Sequence, residues 1–424
     1  MTNEANEAAS RADRDDAVRR GQQEWLRARA YLNGHRHELG HAAAGLYPRS
    51  RQVAGTKLLA RPGWLPEAPV PLEQVTLSWT PGWPRRVVDG TEPQAAAALP
   101  LRDDAGRFGC YAAALGALNR PGIFEDRACY RLLEVSAEPG AASLGFGEGR
   151  YFEVINVGEA VAHEYAAATL ASGDTARPPR LDDLPLRALV GDPADLGRRG
   201  VMTAICTLVL RAPGPAGRDA GADADAGAGA DADAGAGAGA SMILHWRDPA
   251  RVASGGGLYQ VAPVGIFQPS HDAEWNQAND FSLWRCIVRE LAEELLGADE
   301  DYHSDVAPID YERWPLQANL AQARRAGRLR LFWLGLGTDP LTLAADLLTV
   351  AVFDPDLFDA TFSGLVGAND EGRILPTDEA PGSGGGWAFK IKNVERFAGG
   401  EPMQPAGAAL LRLAWQHRDA LLAG

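Results

Sequence analysis

Three carboxylates, Glu290, Glu293 and Glu294, stand at i, i+3 and i+4. On a helix that spacing brings them to one face, where they can converge on one centre. Like charges so placed repel unless something neutralises them. An all-oxygen set suits Mg2+ or Mn2+. An ion held there could grip a pyrophosphate and polarise a water. Glu290, Glu293 and Glu294 are therefore candidate metal ligands, and Glu293 and Glu294 are candidate catalytic residues. Arg289 points elsewhere and can brace the helix through a charged pair. The plain alternative is a solvated acidic helix face.

A second constellation is His37-Glu38-Leu39-Gly40-His41. Two histidines at i, i+4 can bind Zn2+ with Glu38 as a base, which makes a zinc metallohydrolase the minor alternative. Its third ligand would have to be Glu159, His163 or Glu164. Gly40 weakens the helix the motif needs, and exposed helix-end residues are the plainer reading. Glu159 and His163, also at i, i+4, read as a surface pair or a satisfied helix histidine. Gly335 and Gly337 lack the lysine and spacing of a phosphate loop and read as strand bends. Trp275, in a polar loop, is a candidate base-stacking residue; Trp246, Trp284, Trp333 and Trp415 read as core.

Those residues need a scaffold. The chain has 424 residues, 46% of them hydrophobic, which is enough for two or three domains. Its formal net charge of −15 argues against non-specific nucleic-acid or anionic-membrane binding. No stretch reaches 18 apolar residues, and the first twenty residues lack the apolar region of a secretory signal. Four well-separated cysteines without a C-x-x-C pair suit a reducing cytoplasm, with Cys206 and Cys286 in the core. Three lysines among many arginines, with abundant Ala and Gly, suggest a high-G+C, actinobacterial gene.

Residues 212–240 are an Ala/Gly/Asp tract that cannot offset its ordering entropy. The flanking runs, 201–211 and 241–249, read as strands, so the tract is expected to inflate a hairpin tip, where long insertions cost little. The segment 1–198 is expected to form an α+β domain of unknown role. Within it 74–79, 128–135 and 150–157 read as strands and 158–171 as a helix. In 199–424 a helix is expected over 281–296, capped by Asn279-Asp280, then a helix at 314–326, strands at 329–337 and 347–353, and a C-terminal helix.

Arg289-Glu290-Leu291-Ala292-Glu293-Glu294 fits the core of the Nudix signature. The order of a hairpin, the Pro263-Val264-Gly265 turn, an acidic helix and further strands resembles a Nudix hydrolase domain over roughly 199–424. The chain is also similar to actinobacterial Nudix-like proteins, some labelled transcriptional regulators. The signature's opening Gly and Glu would fall on Trp275 and Phe281, the turn has one glycine, and an extra leucine precedes Gly297. The resemblance implies an α/β/α sandwich and Mg2+- or Mn2+-dependent hydrolysis of a nucleoside diphosphate linked to another moiety. Arg247, Gly265 and Trp275 would then contact a nucleotide-like substrate. The other reading is a catalytically weak Nudix-like module that binds a nucleotide or similar ligand for regulation. A homodimer stays open.

Overall fold

A computed structural model describes residues 2–82, 85–103, 106–173, 178–214, 239–247, 257–299, 301–365, 372–374 and 386–423. The chain is an α+β protein, with helices and strands in several mixed sheets. No helix among the described residues is long and apolar enough to cross a membrane.

The chain begins with helices α1 (Thr2–Gly34) and α2 (Arg36–Ala43), broken at His35. Strands β1 (Val70–Pro71) and β2 (Val75–Thr80) follow, then the short pair β3 (Leu101–Asp103) and β4 (Gly106–Arg107), and helix α3 (Tyr111–Leu118). A long antiparallel hairpin, β5 (Ala128–Glu138) and β6 (Ala141–Arg150), takes β2 in parallel on its β6 side. Helix α4 (Ala160–Ser172) enters through a π-turn at Ile155–Glu159, and α5 (Pro185–Val190) closes this part. Of the strand expected over 150–157, only Arg150 is extended, as the last residue of β6; from Tyr151 the chain is helical. Asp126 Oδ1 accepts the Phe152 N–H at 2.8 Å and starts the turn. Ile155 and Val157 then bury against Trp25 and Tyr111.

The second part opens with β7 (Thr203–Arg211), β8 (Ser241–Met242), β9 (Leu244–Arg247), β10 (Tyr259–Val261) and β11 (Val264–Ile266). Helices α6 (Glu274–Asn279), α7 (Leu283–Leu296) and α8 (Pro315–Arg325) precede β12 (Leu329–Thr338) and β13 (Ala345–Phe353). After β14 (Gly372–Ile374) and β15 (Trp387–Ala388), helix α9 (Pro405–Gln416) packs on the sheet. The main sheet runs β1-β12-β13-β7-β8-β15, with β11 also on β7; β10-β9-β14 form a smaller one. β13 lies parallel to β7, an arrangement that the intervening helices make possible by carrying the chain back.

Packing is continuous across residue 198. β1 extends the main sheet at β12, and Leu58, Trp64 and Phe146 share one hydrophobic cluster with Val209, Ile287 and Leu410. Gly335, at φ +131° beside a register shift in β12, bends the strand; a side chain there would strike Trp64 and Leu65.

Residues 215–238, most of the low-complexity tract, lie outside the described residues. The strands on either side pair antiparallel, Leu210 with Met242 and Arg211 with Ser241. The ends of the tract are therefore held together by the sheet itself. Ala212 and Ala240 are buried, so a deletion should spare them. Replacing 215–238 with a short glycine-containing turn is expected to leave the melting temperature nearly unchanged, because closure entropy varies only logarithmically with length. A fall of many degrees in a thermal melt would contradict this.

The π-turn carries Glu159 into a buried network. Its carboxylate takes Arg36 at 2.9 Å and Arg29, and both guanidiniums are buried. Burial opposes the charge, yet Arg36 and Arg29 overcome it and hold Glu159 well below the usual carboxylate range. A depressed carboxylate adds stability above its unfolded pKa, which is lost as pH falls toward the folded value. Wild type is therefore expected to lose stability below about pH 4.5. Glu159→Ala should cost about 3–5 kcal/mol at pH 7, since two buried cations lose their anion. Urea melts across pH 3–7 check both; equal slopes for wild type and variant below pH 5 would contradict the assignment.

Candidate functional site

Helix α7 positions the carboxylates. Its N-cap is Ser282, which accepts the Arg285 N–H, and not the expected Asn279-Asp280; Gly297, left-handed at φ +68°, ends it. Cys286, Ile287, Leu291 and Leu295 bury into the main core. The extra leucine is thus absorbed by packing, with Leu295 fully buried.

The glutamates do not face open solvent. Glu294 is 7% exposed and accepts the Val264 N–H at 3.0 Å. The Glu290 carboxylate rests directly over Gly265, where a Cβ would lie 1.8 Å from its carboxyl carbon. Only glycine fits there, so the Pro263-Val264-Gly265 turn is shaped to receive the acidic face. Glu293 accepts the Tyr302 hydroxyl at 2.8 Å. The structure thus brings Glu290, Glu294, Val264 and Gly265 into one contact.

Arg289 is buried and braces this arrangement from behind. It donates to the Tyr311 hydroxyl and to the Gln268 carbonyl, each at 2.7 Å, and stands 3.6 Å from Asp280. Asp280 in turn accepts Tyr311 at 2.8 Å and the Ser270 N–H at 2.7 Å. Burial alone would depress the arginine, but Cys286, Tyr311 and Asp280 hold it above its usual range. Phe281, where the signature would place a glutamate, packs among Trp79, Tyr130, Phe146 and Phe267. The acid one residue earlier supplies Arg289's partner. The segment expected as a loop holds α6, and Trp275 on it is 45% exposed with its indole N–H on the Ser304 carbonyl at 3.1 Å.

Asp346 escaped the sequence reading. It is the one charged residue of β13, and that isolation was its signal. The Cys206 thiol donates to it at 3.3 Å. Burial, opposed by this hydrogen bond and aided by Asp339, pushes its carboxyl up to about 7. Burial, then Asp346 and Glu294, raise the Cys206 thiol while Arg247 lowers it. Asp346, Glu294 and Arg247 therefore lie within electrostatic reach of one sulfur.

The acidic face of α7 matches a divalent ion in chemistry but not in spacing. The donor chemistry suits a hard cation, with three carboxylates on one helix face. The oxygens of the three do not all lie within 4.8 Å of one another; among the described residues the only group of three or more His, Cys, Asp or Glu side chains that meets that spacing is Asp301, His303 and Asp305, all exposed. Convergence at α7 requires rotation of the flexible glutamate side chains. A cavity of about 470 Å³ opens beside Tyr302, lined also by Ile309, Arg313 and Trp314.

The zinc constellation is dispersed. His37 and His41 lie together, ring centroids 4.5 Å apart. Glu159, however, is held by Arg29 and Arg36. His163 meets the Tyr111 hydroxyl at 3.1 Å and stacks on Trp25, and burial followed by Arg29 lowers it to about 3. Glu164 accepts the N–H groups of Leu186 and Arg187 at the start of α5. Each third-ligand candidate thus has a structural employment; Glu159 and His163 are buried and not a surface pair, and His163 is a satisfied helix histidine.

No family model matches the chain, and no curated protein matches it.

Proposed function

We propose that the chain is a Nudix-like hydrolase dependent on Mg2+ or Mn2+ that cleaves a nucleoside diphosphate linked to another moiety. The observation that carries this reading is the seating of α7: Glu290 over Gly265, Glu294 on Val264, and Arg289 locked behind them by Asp280 and Tyr311. A solvated acidic face would need neither a glycine cut to fit a carboxylate nor a buried arginine. Glu290, Glu293 and Glu294 would hold the ion, which supplies charge neutralisation at the pyrophosphate and an acidified water.

The chain's own residues do the remainder. Val264 orients Glu294 through its N–H, and Tyr302 orients Glu293. Asp346, its carboxyl raised by burial to about 7 and hydrogen-bonded by Cys206, is suited to accept a proton. The cavity beside Tyr302 offers Arg313 as a cation and Tyr302 and Trp314 as aromatic walls to a nucleotide-like ligand; Arg247 is not among its lining residues.

The second reading, a binding module of weak catalysis serving regulation, draws on the hydrogen bonds that already occupy one oxygen each of Glu293 and Glu294. A panel of nucleoside diphosphate conjugates with Mg2+ or Mn2+, read by phosphate release after phosphatase treatment and by thermal shift, separates the two. Release supports the hydrolase. A shift without release supports the binding module, and neither response contradicts both.

A further inference from the structure

A second cavity, of about 260 Å³, lies between the 47–60 segment, the Gly191-Asp192-Pro193 turn and the end of β12. It shares no lining residue with the cavity beside Tyr302 or with the glutamate face. Its volume is just below the roughly 300–1,000 Å³ of pockets for drug-sized ligands, so it fits a small metabolite. Leu59, Ala60 and Pro193 give it apolar walls.

Its polar groups point to an anion. Thr338, 1% exposed, lines the cavity, and its Oγ1 has no hydrogen-bond partner. Its backbone is fully used, exchanging two hydrogen bonds with Leu59, so the hydroxyl alone is left over. Tyr47 also lines the cavity. Its oxygen accepts from Arg187 Nη1 at 3.0 Å, which leaves its own proton to donate and makes it a stronger donor.

Two buried arginines stand one residue behind the wall. Arg187 reaches Tyr47 and the Pro340 and Leu341 carbonyls; Arg199 reaches the Pro193 carbonyl at 3.0 Å and that of Leu343. Among the described residues neither guanidinium hydrogen-bonds a carboxylate, although the Arg187 backbone N–H donates to Glu164 and Asp195 acts on Arg199; burial, the largest cause, lowers Arg199 to about 10. The two guanidiniums are held by carbonyls, and Glu164 and Asp195 offset only part of their charge behind the cavity wall. At its rim Arg51 is paired with Asp192, so these two lining residues add no net charge.

We propose that this cavity binds a small monocarboxylate with an apolar body, its carboxylate accepting from Tyr47 and Thr338 within the field of Arg187 and Arg199. This cavity is separate from the acidic face of α7 and from the cavity beside Tyr302.

Isothermal titration of the full chain with butyrate, hexanoate and benzoate, each beside its neutral amide, tests it at fixed salt. At least one carboxylate is expected to bind about tenfold or more tighter than its amide, the scale of a hydrogen bond to a charged group. Thr338→Val and Tyr47→Phe should each weaken that carboxylate about tenfold. Thr338→Val keeps shape and removes a hydroxyl with no partner, so its melting temperature should hold even if Tyr47→Phe unsettles Arg187. No carboxylate binding, equal binding of acid and amide, or full affinity in folded Thr338→Val would overturn the proposal.

Discussion

Glu293→Gln and Glu294→Gln are each expected to lower turnover by more than the ~10–100-fold typical of changes one shell away from a metal. A neutral amide is a poor ligand for a hard cation, so the loss should appear in metal affinity as well as in rate. Stability should respond differently. Glutamine at 294 keeps an oxygen for the Val264 N–H, and glutamine at 293 keeps one for the Tyr302 hydroxyl. Both variants should melt near wild type. Alanine at 294 removes that acceptor and should cost about 1–3 kcal/mol. Parallel thermal melts and phosphate-release assays separate the two effects. Full turnover in either glutamine variant would mean that the carboxylate is not a ligand.

Arg289→Ala is expected to destabilise the protein by about 3–5 kcal/mol, as when one partner of a buried pair is removed. Asp280 is fully buried and would keep a charge with no cation beside it, while the Gln268 carbonyl and Tyr311 would each lose a donor. Because Asp280 also accepts the Ser270 N–H, the 268–280 loop should loosen with it. The double variant Arg289→Met, Asp280→Asn should recover much of the loss, since no unpaired charge remains. Urea melts of the single and double variants measure the coupling. A single-variant effect below about 0.5 kcal/mol, the range of ordinary surface substitutions, would contradict the brace.

What the sequence disclosed follows from period and spacing. The acidic helix, the two long strands β12 and β13, and the C-terminal helix carry strong apolar patterns, and their existence is legible from those alone. The pairing of the strands around residues 212–240 was also readable, because both flanks are apolar and the tract between them is not. Residues 150–157 were not. Their apolar spacing suits a strand, and the deciding interactions, Asp126 on Phe152 and burial against Trp25, come from distant residues. The same limit applied to the site. The spacing of Glu290, Glu293 and Glu294 predicts a shared helix face, but not that Gly265 and Val264 lie beneath it. Asp280 reads as a cap by local pattern; only the fold makes it the partner of Arg289. Trp25, on the apolar face that helical spacing gives the N-terminal helix, is buried as that spacing implies, whereas Trp64, nearly fully buried, lies in a proline-rich stretch that hides a core residue.

The most direct test of the central claim is Mn2+ titration by calorimetry on wild type, Glu293→Gln and Glu294→Gln, with and without a nucleoside diphosphate conjugate. Wild type is expected to bind Mn2+ saturably, more tightly with the conjugate present, and both variants are expected to bind it far more weakly. No Mn2+ binding to wild type under either condition, or equal binding by all three proteins, would mean that Arg289 to Glu294 preserve a helix and not a metal site.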